Sequence, residues 1–393
     1  MPNVNSLVFL GLPPPCASSY DASKGSMLQR SPFFGHSRRR STIKFWASLA
    51  RTVALSVFLL PIGLTVRSSA QTTAQVQQLI QRGEAALDSG NLAEAEANFS
   101  QAIRLAPNDQ SANRGLLLTN LESGRLQEAI DFGNKAVTRF PRDAQLQHWL
   151  GLAYFKSGQN PEALTWLHKA LQLEPAQFDM QFDTALVLLQ DNQFGPAADR
   201  LEAAVKLKPS DGLAHVLLGT AYQNTNRTVQ AIEQFKLAVT QDPGIPLGHY
   251  HLAYALASLG RNSEALAEYE KEVKSSPENP LVLAHYGHCL LASGDWNSAI
   301  PKLKRALALS PQKSDAAYDL GKALLLSDDA ATAIVWLQRA AELNPSDPSP
   351  HYQLARALEK TGNSEEARAE RQRFAELKKA QPQTGGMASG PTQ

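Results

Sequence analysis

From Val76 onward, apolar residues fall three and four apart in short runs separated by polar breaks, the spacing that lines one face of an α-helix. In residues 144–177, Leu150 and Tyr154 form one run, and Leu164, Leu167 and Leu171 form a second after a break at Gly158. Such a stretch predicts a helix, a tight turn and a second helix. The period-two alternation of strands is not evident. The punctuation between the pairs is regular. Prolines stand at 107, 141, 175, 209, 243, 277, 311 and 345, and every interval is 34 residues. Chance does not place eight of 23 prolines on such a ladder.

With these prolines set at position 32 of a 34-residue unit, nine repeats span 76–109, 110–143, 144–177, 178–211, 212–245, 246–279, 280–313, 314–347 and 348–379. Position 20 is alanine in all nine, from Ala95 to Ala367. Position 27 is alanine in all but two, where Glu272 and Phe374 stand. Position 8 is Gly or Ala except at Leu117. Small residues in these columns let two helices approach closely. Position 15 is Gly, Asn or Asp throughout, residues that tolerate the left-handed backbone that stops a helix and turns the chain. The proline at position 32 cannot continue the second helix. One helix pair cannot bury its own apolar face, but a stack of pairs can.

These columns resemble the tetratricopeptide repeat family, whose pattern has Leu, Gly and Tyr in the first helix and Ala, an aromatic, Ala and Pro in the second. The match is full in one repeat, with Leu218, Gly219, Tyr222, Ala231, Phe235, Ala238 and Pro243. Another repeat matches at Leu150, Gly151, Tyr154, Ala163, Ala170 and Pro175, with Leu167 in the aromatic place. The early Trp of the family is absent, and His215, His249 and His351 stand there as packing substitutes. The resemblance covers residues 76–379, about 77% of the chain. It implies an all-α fold, a right-handed α-solenoid of tandem helix-turn-helix repeats. It also implies a concave face built mostly from first helices, on which members bind peptides, helices or loops of partner proteins.

Outside the repeats, residues 1–70 are expected to be a disordered leader ending in a targeting segment. Arg38-Arg39-Arg40 and Lys44 precede the uncharged run Thr52–Val66, and small residues Ser68 and Ala70 precede a polar stretch. That order is the layout of a secretory signal with cleavage after Ala70. Fifteen residues containing Pro61 are short for a membrane span, which needs about 20. An uncleaved anchor and a buried apolar helix are the alternatives. The last repeat's second helix carries Arg368, Glu370, Arg371, Arg373, Glu376, Lys378 and Lys379, a charged face suited to a terminal cap. Residues 381–393 read as a flexible tail.

The chain has 38 Lys and Arg against 37 Asp and Glu, but eight of the basic residues and one of the acidic lie in the first 70. The repeat region is thus acidic, net −6, which argues against nucleic acid. Cys16 and Cys289 lie in leader and body, so a cleaved chain has no intrachain disulfide. The repeats occupy the foldable length and leave no room for a catalytic domain. No phosphate loop or nucleophile elbow is present. No enzyme activity, cofactor or metal is expected. His249 and His251, and His285 and His288, form the only histidine pairs with a spacing to consider, and packing explains them more simply than ligation.

In the family's geometry, positions 2, 5, 9, 12 and 13 of the first helix face the concave side. On that resemblance the candidate groove residues are Phe155, Phe182, Tyr250, Tyr254, Tyr318, Lys322, Tyr352 and Arg356. One branch grips a C-terminal carboxylate with a constellation of Lys and Asn at fixed concave places, and position 9, from Glu84 to Arg356, does not reproduce it. The functional expectation is a protein-interaction scaffold or adaptor of the cell envelope, exported to the bacterial periplasm. A membrane-tethered adaptor and a regulatory subunit of a separate enzyme are the alternatives. The partner is a protein or peptide, and a membrane is met only through an uncleaved leader.

Overall fold

The computed structural model describes residues 62–380, and the expected leader up to residue 61 and the tail from 381 lie outside them. The described residues fall into two compact units that divide at Thr225 and Asn226. The first holds α1 (Ile62–Asp88), α2 (Leu92–Leu105), α3 (Gln110–Glu122), α4 (Leu126–Arg139), α5 (Ala144–Lys156), α6 (Asn160–Leu173), α7 (Phe178–Gln190), α8 (Phe194–Leu207) and α9 (Gly212–Asn224). The second holds α10 (Thr228–Gln241), α11 (Gly248–Ser258), α12 (Asn262–Ser275), α13 (Pro280–Ala292), α14 (Trp296–Leu309), α15 (Ser314–Leu326), α16 (Ala330–Leu343), α17 (Ser349–Lys360) and α18 (Ser364–Ala380). No strand occurs among the described residues. The chain is all-α, a solenoid of tandem helix-turn-helix repeats.

Both punctuation marks act through the backbone. All nine residues at position 15 have positive φ: the glycines from Gly90 to Gly362, and Asn192, Asn226 and Asp328 at 56°, 60° and 70°. Second helices end two residues before the proline because the residue preceding a proline is driven out of the α region. Ala106, for example, sits at φ −138°, ψ 82°. Position 34 then starts the next first helix. The carboxylates of Asp109, Asp143 and Asp211 accept the N–H groups of Ala112, Leu146 and Ala214 at 2.9–3.1 Å.

Within each unit each helix packs on the next, and first helices touch the following first helix, as α3 does α5 and α13 does α15. Among the described residues no comparable contact joins successive second helices. Within each unit, first helices therefore form one layer and second helices another. The alanines of position 20 lie between the layers at 0–1% exposure.

The small column at position 8 has a structural partner at position 24. A Cβ on Gly151 would lie 2.8 Å from Leu167 Cγ, and one on Gly321 would lie 2.6 Å from Leu337 Cγ. The exception Leu117 obeys the same rule in reverse: it is fully buried, and its position-24 residue is Gly133. A Cβ on Gly133 would lie 3.3 Å from Leu117 Cδ1 and 2.8 Å from Leu150 Cδ1. Volume is conserved across the layer while its owner changes.

The second exception, Glu272, compensates an irregular start. The linker places Leu247 in the left-handed region at φ 60°, so α11 begins at Gly248 with no side-chain cap. The buried Glu272 carboxylate, 2% exposed, accepts the Tyr250 N–H at 3.3 Å and the Ser276 hydroxyl at 3.2 Å. At the amino end, α1 starts fourteen residues before Val76, so Ala70 lies inside a helix. None of the described helices is long and apolar enough to cross a membrane.

Candidate functional site

The first-helix layer of each unit presents positions 5 and 9 side by side, because residues four apart share a helix face. In the first unit the basic side chains on this face already have carboxylates. Arg114 Nε donates to Asp143 at 2.8 Å, and Gln110 donates to the same carboxylate at 2.6 Å. His148 Nε2 lies 2.8 Å from Asp183 Oδ2. Burial lowers the Lys156 pKa, against the opposing pull of Glu122 and Asp183. The apolar members Leu118, Leu152, Leu186 and Phe155 are half-buried. Phe155 packs against the cluster of Ala163, Leu167 and Val187. Phe182 is interior, 5% exposed, and stacks on Phe178 with ring centroids 5.4 Å apart.

In the second unit Tyr250 is likewise interior, 2% exposed. Its ring lies 5.3 Å from His251, 5.6 Å from His285, 6.2 Å from Tyr254 and 6.3 Å from Tyr269. Its hydroxyl is buried without a hydrogen-bond partner among the described residues, and burial raises its pKa. Burial likewise pushes the imidazoles of His251 and His285 down to about 4. Tyr254 is half-buried and meets His285 edge-on at 5.2 Å.

Toward α17 the same face becomes basic and accessible. Position 9 reads His288, Lys322 and Arg356 on α13, α15 and α17. His288 Nδ1 is 2.8 Å from Asp319 Oδ2, and that hydrogen bond raises the His288 pKa. Lys322 is half-buried and Arg356 exposed, and neither makes an ion pair among the described residues. Arg356 Nη1 donates to Gln353 Oε1 at 3.0 Å, and Tyr318 is half-buried. Tyr352 is 48% exposed and rests on Phe374 at 5.5 Å. Lys360 is engaged with Asp328 at 2.9 Å.

The histidines at position 4 work by hydrogen bonding, where packing alone was expected. His215 Nε2 lies 3.0 Å from the Pro209 carbonyl, which can only accept, so that nitrogen carries the proton. Asn113, Gln147 and Gln181 at the same position donate to the Pro107, Pro141 and Pro175 carbonyls at 3.1, 2.8 and 2.8 Å. His249 and His351 turn instead to Glu268 and Glu370, each at 2.6 Å. In these four repeats position 4 satisfies the proline carbonyl left unpaired just past the end of the second helix. A polar residue six positions after Pro107, Pro141, Pro175 and Pro209 was the available signal. Among the described residues no three His, Cys, Asp or Glu side chains are grouped to hold a metal.

A second accessible surface lies on the second helices. Between α14 and α16 a groove is lined by Leu307, Pro311, Trp336 and Val335, the last 60% exposed, with Gln338, Arg339 and Glu342 beside them.

Sequence models described as tetratricopeptide repeat match residues 80–144 and 182–246, 144–177, 248–279, 290–349 and 336–369, about 70% of the chain together. No curated protein matches the chain. Among solved structures, YrrB, described as a TPR protein with an unusual peptide-binding site, is 17% identical with a TM-score of 0.43, over 47% of this chain and 95% of that one. The Cut9–Hcn1 structure is 18% identical with a TM-score of 0.47, over 68% and 52%. PilF of Pseudomonas aeruginosa is 19% identical with a TM-score of 0.46, over 53% and 94%. Likenesses at these scores carry no argument of their own. The family matches stand on the same columns of alanine, glycine and proline that build the two layers, and the chain belongs to the tetratricopeptide repeat family.

Proposed function

We propose that the chain is a non-catalytic scaffold that receives segments of partner proteins on the first-helix layer. Tetratricopeptide repeats support protein–protein interaction as the general role. The observation that carries the location is the supply of large, accessible side chains at positions 5, 9 and 12 of first helices: Phe155, Tyr254, Tyr318, Lys322, Tyr352 and Arg356. Tyr and Arg suit interfaces because they combine large contact area with directed hydrogen bonds. Phe182 and Tyr250 support this surface from beneath.

The test is photo-crosslinking in the source cell, with a crosslinking residue placed at Phe155, Tyr318 or Tyr352 in one set and at Val335 or Trp336 in another. Partner capture from the first set is the expected result. Capture confined to Val335 and Trp336 would move the site to the groove between α14 and α16. We also propose export through the basic, apolar and small-residue order of residues 38–70. N-terminal sequencing of the native protein is expected to begin near Gln71. A chain retaining residues 52–66 in the membrane fraction would make it a tethered adaptor.

A further inference from the structure

We infer that the first-helix face of α13, α15 and α17 binds an acidic protein segment, with Lys322 and Arg356 receiving its carboxylates. This rests on the reading of the first-helix layer as the partner surface.

Three observations lead to it. The first is register: His288, Lys322 and Arg356 occupy position 9 of three successive first helices, so the cations form a ladder along one layer. An extended or helical segment laid across those helices meets one rung after another.

The second is what the cations lack. On the same face of the first unit, Arg114 is held by Asp143 and His148 by Asp183. In the second unit, Lys322 has no carboxylate partner among the described residues, and Arg356 is bound only to the neutral amide of Gln353. Half-burial of Lys322 adds to this, because an ammonium partly withdrawn from water gains more from a carboxylate than a fully solvated one does.

The third is the set of donors. Arg356 Nη1 donates to the Gln353 amide oxygen at 3.0 Å and keeps its other N–H groups for a ligand. Arg356, Tyr318 and Lys322 together offer a guanidinium, a hydroxyl and an ammonium, all donors, and the exposed Tyr352 ring flanks them with apolar area. His288, tied to Asp319 through Nδ1, keeps Nε2 outside that pair.

A polyanion of phosphates fits less well. Two permanent cations neutralise few closely spaced phosphates. Asp315, Asp319 and Asp347 stand nearby and oppose any anion, which confines the fit to single carboxylates set at Lys322 and Arg356. A segment with spaced carboxylates and apolar residues between them matches both the donors and the rings.

The test uses the full chain and two labelled peptides of about twelve residues, one alternating Glu with Leu and the other with every Glu replaced by Gln. Fluorescence anisotropy is expected to show the glutamate peptide bound about tenfold or more tightly, a preference that shrinks with added salt. The Lys322→Ala/Arg356→Ala double variant is expected to abolish the preference with circular dichroism unchanged. Lys322→Arg is expected to retain it. Equal binding of the two peptides, or a preference that survives the double substitution, would overturn the inference. So would an oligonucleotide or a phosphatidylserine vesicle that outcompetes the glutamate peptide and loses its own binding in the double variant. Partner crosslinking at Tyr352 alongside a lost acidic preference would leave the first-helix reading standing and refute this one alone.

Discussion

Leu117 and Gly133 provide the sharpest test of how the layers are built. Other repeats put a small residue at position 8 and a large one at position 24, as in Gly151 with Leu167 and Ala185 with Leu201. This repeat inverts the pair. Leu117→Ala removes a fully buried side chain and is expected to cost about 2–5 kcal/mol. Gly133→Leu places a Cβ 2.8 Å from Leu150 Cδ1 and 3.3 Å from Leu117 Cδ1. Overpacking of that kind costs about 1–3 kcal/mol, offset by roughly 1 kcal/mol from removing a mid-helix glycine. In the double variant the new leucine fills the space left by the old one, as in the repeat of Ala185 and Leu201. Its expected net cost is about 1 kcal/mol, with Leu150 limiting the recovery. The coupling between the two sites should therefore be at least about 1 kcal/mol. Native-state hydrogen exchange of the amides in α3 and α4, measured for the wild type, both single variants and the double, reads it directly. Additivity within about 0.5 kcal/mol would refute the account of position 8 as one half of a shared volume.

Tyr250→Ala is expected to destabilise the second unit by about 3–5 kcal/mol, whereas Tyr254→Ala, half-buried, should cost less, and urea melts compare them. Equal, small costs would place both rings at the surface. His251 and His285 have folded pKa values near 4, below the unfolded value of about 6.5, so the folded state binds fewer protons. Their contribution is complete above about pH 6.5 and is lost as pH falls toward 4, up to about 3 kcal/mol each. His288, raised by Asp319, works in the opposite sense. A His251→Gln/His285→Gln variant should flatten the acid slope of urea stability measured between pH 7 and 4.5, and an unchanged slope would exclude the buried imidazoles as its source. Glu272→Ala installs the residue most common at position 27 yet should cost about 1–3 kcal/mol, because the Tyr250 N–H is left buried without its acceptor. Glu272→Gln should cost less, and a stabilised Glu272→Ala chain would contradict the capping role.

The helix pairs were legible because their causes are local. The position-15 residues all adopt positive φ, and the proline ladder stops second helices through the residue before it. The aspartate caps of position 34 went unread, although an Asx just before an apolar run is a helix-start signal. The exceptions in the columns were visible as exceptions, but their reasons were not. Leu117 needed Gly133, 16 positions away, and Glu272 needed the irregular start of α11 at Gly248.

The candidate face divides along the same line. Sequence alone placed Phe155, Phe182, Tyr250, Tyr254, Tyr318, Lys322, Tyr352 and Arg356 on first helices, because helical periodicity is a property of the chain. It could not rank them by access. Tyr250 at 2% exposure and Tyr352 at 48% share position 5 of their repeats. Tyr250 is enclosed because His285 and Tyr254 close over it, while Tyr352 meets only Phe374 of the terminal pair. Periodicity fixes which face a side chain takes. How far it reaches water depends on the side chains of the next repeat, and only packing decides that.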